Sequence, residues 1–245
     1  MTDLIQISTF SEFVLNYFDQ VYVINLDSRP DRMKQVNELL SQYKINYKRI
    51  SGVYLKDKYT DVINKKTNTS SLGHLGCILS HVKCCKDALD NNYNKILVLE
   101  DDITFIENHI NIINFQKLYN EIQTIDWNIF YLGATFNSKL IPLTPHIDKP
   151  SGEVWATQSI GYNKNTIMEI TSKIPSDPDY YMVQNRLEGL FPIDVIYDRS
   201  FKKNRVVVNP IVCVQNTSAS DIVPAELMMN NTEYQLSRWR QNKSI

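Results

Sequence analysis

Glycine is scarce in this sequence, with 7 in 245 residues, and neither G-x-x-x-x-G-K-[ST] nor G-x-G-x-x-G occurs. That excludes both common backbone cradles for phosphate. A diphosphate held here has to be neutralised by side chains or by a metal ion instead. Cysteine is scarce too. Cys77, Cys84, Cys85 and Cys213 include a vicinal pair but no C-x-x-C spacing, so neither a disulfide framework nor a zinc site is indicated and buried free thiols are expected. Surplus charge is also missing: Lys+Arg number 26 against Asp+Glu 27, a formal net charge of −1. Without a global basic field, no nucleic-acid partner is expected. No apolar run approaches the roughly 20 residues of a membrane span. "MTDLIQISTFSEFVLNYFDQ" lacks the basic and apolar regions of a signal peptide. The expectation is no membrane span and a cytoplasmic location, with the sequons at Asn68, Asn216, Asn230 and Asn242 accidental.

What is present is ordinary for a folded chain: 43% hydrophobic and 22% charged residues. A chain of this length buries roughly 70–75% of its unfolded surface. We read residues 1–245 as one domain. "VYVINLD" (Val21 to Asp27), the helical "SRPDRMKQVNELLSQY" and "INYKRISGV" (Ile45 to Val53) form a strand–helix–strand unit, which favours a parallel sheet. Tyr54 to Ser71 is polar and aperiodic, and reads as a mobile loop. A helix is expected from about Gly73 to Asn91, then a strand, a helical stretch around Ile110 to Ile125, and the buried strand "WNIFYLGAT". Pro142, Pro145 and Pro150 mark an irregular connection. "EVWATQSIGYN" reads as a strand, "KNTIMEITSKI" as a helix and "RVVVNPIVCVQN" as late strands, with a C-terminal amphipathic helix at about 224–240. The fold class is α/β, with helices on both faces of a mostly parallel sheet.

Two strands end in unusual chemistry. "KILVLEDDITF" runs from Lys95 through aliphatics into Glu100, Asp101 and Asp102. Adjacent carboxylates repel, and each costs free energy if it leaves water unpaired. A solvated turn is one explanation and a divalent cation the other. Side chains alternate along a strand, so Glu100 and Asp102 should share a face while Asp101 points away. Hard oxygen ligands suit magnesium or manganese, which bind through few carboxylates plus substrate phosphates. "VINLDSRPDR" adds Asn25, Arg29 and Arg32, and either arginine could pair with phosphate. In open α/β sheets, ligands bind beyond the carboxyl ends of strands, where both segments lie.

"VYVINLDSRPDRM", "YKRISGV", "GHLGCILSHVKCCKDAL", "ILVLEDDI", "SIGYN", "PID" and "VQNTSASDI" occur in an order that resembles glycosyltransferase family 25. That family contains lipopolysaccharide-type sugar transferases and collagen hydroxylysine galactosyltransferases. The resemblance implies a GT-A fold, a UDP-sugar donor (usually UDP-galactose, with UDP-glucose the alternative), Mn2+ or Mg2+, and inversion at the anomeric carbon. Carried over by residue, it implies that Asn25, Arg29, Arg32, Ser80, His81 and Asp101 meet the donor. Glu100 and Asp102 take the outer places of a D-x-D-like motif, Asp101 being the alternative ligand if the strand twists at its end, with Asp221 in "SASDI" a further metal ligand. Asp194 in "FPID" falls where inverting enzymes of this fold commonly place the base; exchanged roles for Asp194 and Asp221 stay open. Family members often carry Glu where this chain has His74, so any contact made by that Glu is in doubt. Cys77 reads as core. The implied acceptor is a hydroxylysine of a collagen-like chain, or a glycan. A homodimer and an inactive, UDP-sugar-binding module both stay open.

Overall fold

Thr9 starts the first helix, α1 (Phe10–Tyr17). Its hydroxyl accepts from the Glu12 amide while the Glu12 carboxylate accepts from the Thr9 amide, so two otherwise orphaned donors are satisfied reciprocally. Phe10, Phe13, Val14 and Tyr17 form its buried face. The sequence reading did not anticipate this helix. The computed structural model describes residues 5–59, 69–182, 190–200, 204–216 and 231–243.

The strand–helix–strand unit is as expected: β1 (Gln20–Asn25), α2 (Pro30–Gln42) and β2 (Lys48–Ser51). The expected loop contains a short helix, α3 (Lys56–Tyr59), and residues 60–68 of it lie outside the described residues. The long helix α4 (Thr69–Asp90) begins ahead of Gly73, which places the glycines inside it. Then come β3 (Lys95–Glu100), β4 (Ile103–Phe105), α5 (Glu107–Ile110), α6 (Phe115–Gln123) and β5 (Ile129–Phe136). The proline-marked segment is a paired element: β6 (Leu140–Thr144) and β7 (Ile147–Pro150) form an antiparallel hairpin, with one register shift between Pro142 and Thr144. Pro142 fits there because β6 is an edge strand. The chain continues through β8 (Val154–Asn163), α7 (Lys164–Lys173), α8 (Asp179–Met182), α9 (Ile193–Ser200), β9 (Arg205–Val208) and β10 (Cys213–Gln215). The expected terminal helix is α10 (Asn231–Lys243), and residues 217–230 before it lie outside the described residues.

The main sheet runs β2-β1-β3-β8-β5-β9-β7-β6, and β10 pairs with β4 beside it. The α/β class is as expected, but the sheet is mixed. Strands β2, β1 and β3 are mutually parallel, as are β5 and β9. β8 enters antiparallel between β3 and β5, and the hairpin adds antiparallel pairs at the far edge. The alternation that identifies a strand carries no information about its direction.

Burial explains the continuous apolar run before Glu100. Leu97 and Leu99 of β3 face a cluster formed with α1, α2 and α6, while Ile96 and Val98 face one formed with α4, α7 and α9. β5 divides in the same way, with Phe130 and Leu132 on one side and Ile129 and Tyr131 on the other. A strand covered on both faces reads as unbroken hydrophobicity rather than as alternation. Among the described residues, no helix is long and apolar enough to cross a membrane.

Candidate active site

The carboxyl ends of the three parallel strands open onto one cleft. Leu26 follows β1, Gly52 and Val53 follow β2, and Glu100, Asp101 and Asp102 end β3. Helix α4 closes the cleft with Gly76, Cys77, Ser80 and His81, a stripe produced by the helical period. A Cβ on Gly76 would stand 2.3 Å from the Val53 carbonyl oxygen, so only glycine lets the helix come this close. Ser80 completes the seam. Its hydroxyl accepts from the Val53 amide at 2.8 Å and donates to the Gly76 carbonyl at 2.7 Å.

The three carboxylates have separate fates. Asp101 turns toward α2, only 7% exposed, and accepts from the Arg32 guanidinium at 2.9 Å and the Asn25 amide at 2.7 Å. The Asn25 amide also donates to the Arg29 carbonyl, and its oxygen accepts from Arg49. Asn25, Arg32 and Asp101 are thus joined in one buried network that fixes the loop after β1 against the end of β3. Burial raises the Asp101 carboxyl above its ordinary value despite these bonds.

Glu100 faces the other way. Its Oε1 accepts from the Thr157 hydroxyl at 2.7 Å and lies 3.5 Å from His81 Nε2. Burial works to raise this carboxyl, but His81, Thr157 and Arg32 together hold it below its ordinary value. Asp102 lies between the two. One carboxylate oxygen is 3.7 Å from Arg32, and the other, Oδ1, is buried with no hydrogen-bond partner. Burial, with the Glu100 charge next, pushes Asp102 up to about 7. Two partly buried carboxylates short of positive charge are a donor set that fits a hard divalent cation, which would displace the Asp102 proton.

The remaining expected residues are spread around this centre. His81 is fully buried and its Nδ1 lies 2.7 Å from the Tyr162 hydroxyl. Arg29, at the start of α2, bonds to Asp31. Asp194 opens α9 and accepts from the Ala156 and Val195 amides at 3.0 and 2.8 Å. It is not in the cleft wall beside Glu100, although its charge reaches His74 and Cys77. Asp221 lies outside the described residues. Cys77, expected in the core, packs against the core cluster and is half-buried where it also lines the cleft. Thr157 was not anticipated. The four-residue step from Cys77 to His81 was a visible signal, whereas nothing in the sequence tied Thr157 to Glu100.

These observations describe an α/β protein with an acidic ligand cleft at the ends of its parallel strands. Residues 18–190 match "Glycosyltransferase family 25 (LPS biosynthesis protein)", and the chain belongs to that family. It is similar to procollagen galactosyltransferase 1-A of Xenopus laevis, 31% identical over 133 residues, covering 47% of this chain and 21% of the relative. Procollagen galactosyltransferase 2 of Homo sapiens is 30% identical over 132 residues, with 47% and 21% covered. The inactive glycosyltransferase 25 family member 3 of Homo sapiens is 28% identical over 133 residues, with 47% and 22% covered. The chain thus spans about a fifth of the length of these curated relatives. Among solved structures it is similar to A197 from STIV, with TM-score 0.44, 12% identity, and 80% of this chain and 84% of that one covered. A glycosyltransferase involved in glycosylation of the major capsid of PBCV-1 has TM-score 0.44 and 8% identity, with 91% and 98% covered. Structural likenesses this low say nothing about activity.

Proposed function

We propose that the chain is a GT-A-type, metal-dependent inverting glycosyltransferase that moves galactose from UDP-galactose to a hydroxyl acceptor. The observation that carries this reading is the buried, unpartnered Asp102 oxygen beside Glu100, in the cleft of a family 25 chain. Glu100 and Asp102, with Asp221, would hold Mn2+ or Mg2+, which when bound supplies positive charge to the departing diphosphate. Leu26, Val53 and Leu55 give the cleft an apolar side suited to a nucleobase. Arg32 and Arg29 supply cationic charge at the end of β1, and His81 lines the wall. Asn25, Ser80 and Asp101 act on the donor through the loops they brace. Asp194 accepts the proton of the acceptor hydroxyl as its oxygen bonds to the anomeric carbon and the bond to the UDP oxygen breaks.

The acceptor we favour is hydroxylysine in a collagen-like chain, in keeping with the names of the procollagen galactosyltransferases. A glycan acceptor and a UDP-glucose donor are the alternatives within this class. A second reading, a UDP-sugar-binding module without turnover, is favoured by the similarity to an inactive family member. The test is UDP release with Mn2+ from UDP-galactose and UDP-glucose, with and without a hydroxylysine peptide. Release specific to one donor, lost with chelator and stimulated by peptide, is expected. Asp194→Asn should keep UDP binding and lose about 10²–10⁴ in turnover, whereas Asp102→Ala should lose metal-dependent UDP binding. Bound UDP without release from any donor would leave the binding module standing.

A further inference from the structure

We propose that Cys77, His81 and Glu100 form a metal site, suited to Zn2+, on the wall of the cleft, sharing Glu100 with the pair Glu100–Asp102. Cys77 and His81 are four residues apart on α4 and so lie on one face of the helix, opposite the end of β3. The Cys77 sulfur, a His81 ring nitrogen and a Glu100 carboxylate oxygen all lie within 4.8 Å of one another. Around zinc, bonds of about 2.0–2.3 Å place tetrahedral ligand atoms roughly 3.3–3.8 Å apart. Closing the trio therefore takes movement of about an ångström.

Two further observations point to a ligand. His81 is 0% exposed, and its Nε2 makes no hydrogen bond, with Glu100 3.5 Å away. A buried ring nitrogen whose nearest partner is a carboxylate beyond hydrogen-bond geometry is uncommon. The rest of the ring is anchored: Nδ1 lies 2.7 Å from the Tyr162 hydroxyl, which lies 2.7 Å from the Tyr197 hydroxyl. Metal binding needs the tautomer with the proton on Nδ1, donated to Tyr162; Nε2, which faces Glu100 at 3.5 Å, then gives up its proton and turns a lone pair to the ion. Metal-bound histidines are held in this way by their second nitrogen. Thr157 helps to hold Glu100 by donating to Oε1.

Thiolate, imidazole and carboxylate together suit zinc rather than magnesium or manganese. Three protein ligands leave a fourth position, and Cys77 and Glu100 both line the open cleft, so water or a substrate atom can fill it. On binding, the Cys77 thiol gives its proton to solvent as the metal–sulfur bond forms, and no redox partner is needed. The site stands whether or not the chain is a transferase. Only one consequence rests on that reading: an ion here takes Glu100 away from the pair Glu100–Asp102.

The probe is Co2+, titrated into the full chain and then displaced by Zn2+. One ion per chain, with a thiolate-to-cobalt charge-transfer band in the near ultraviolet, is expected. Cys77→Ser should abolish the band and Cys85→Ala should keep it. Tyr162→Phe, which removes the support of His81 together with the bond to Tyr197, should weaken Co2+ binding about 10–100-fold. On the unaltered chain Zn2+, but not Mg2+, should protect Cys77 from maleimide; this arm decides the matter if circular dichroism shows Cys77→Ser unfolded. Absence of the band, its survival in folded Cys77→Ser, or unprotected Cys77 in Zn2+ would overturn the proposal.

Discussion

Gly76 and the neighbouring pair Asp101 and Asp102 carry most of what single residues decide here. Alanine at position 76 gains about 1 kcal/mol of helix propensity. Against this, its methyl group would meet the Val53 carbonyl at 2.3 Å, and overpacking of this kind costs about 1–3 kcal/mol. Because the opposing atom is backbone, the cost should prevail. Gly76→Ala is expected to lower unfolding stability by about 1 kcal/mol and to widen the seam between α4 and β2, as read by urea denaturation. Equal or greater stability would show that the helix can back away without loss. Asp101 and Asp102 are chemically identical neighbours, yet one is locked by Arg32 and Asn25 while the other keeps a buried oxygen unpartnered. The acidic cluster was legible in the sequence. So was the separation of Asp101 from Glu100 and Asp102, through strand alternation; the partner each would meet was not, because it is reached only through packing.

Between elements, Asp87 shows how α4 is fastened to the sheet. Its two carboxylate oxygens accept from Lys48 of β2 and from the Tyr22 hydroxyl of β1, both at 2.6 Å. Burial works to raise this carboxyl, but the bonds from Lys48 and Tyr22 hold it below its ordinary value. A depressed acid contributes stability above its unfolded value, near 4, and loses it as pH falls through the lower folded value. Asp87→Asn should therefore cost about 1 kcal/mol at neutral pH. Urea titrations of both proteins at pH 7 and near pH 3 should show the difference closing in acid; a difference that stays constant would mean that the charge plays no part. The spacing of α4 as a helix was readable in advance. Its start at Thr69 was not, because glycine is costly in a helix interior unless, as at Gly76, a neighbour needs the space.

For the whole molecule, the sheet sets a gradient of protection. β3 is paired on both sides, by β1 and β8, and covered on both faces. β6 is an edge strand with mostly exposed residues. Amides that open only with global unfolding belong to the first kind of strand. Native-state hydrogen exchange should find Ile96–Leu99 slowest and Leu140–Thr144 fastest among the strands, and the reverse order would contradict a core centred on β3. By itself the sequence determined the α/β class, the strand–helix–strand unit and the acidic end of β3, because helical and strand periods are properties of neighbouring residues. Only the tertiary structure decided that β8 lies antiparallel between β3 and β5, and that Thr157 and His81 meet at Glu100. Those contacts join residues far apart in the chain, and packing selects them where no local period can.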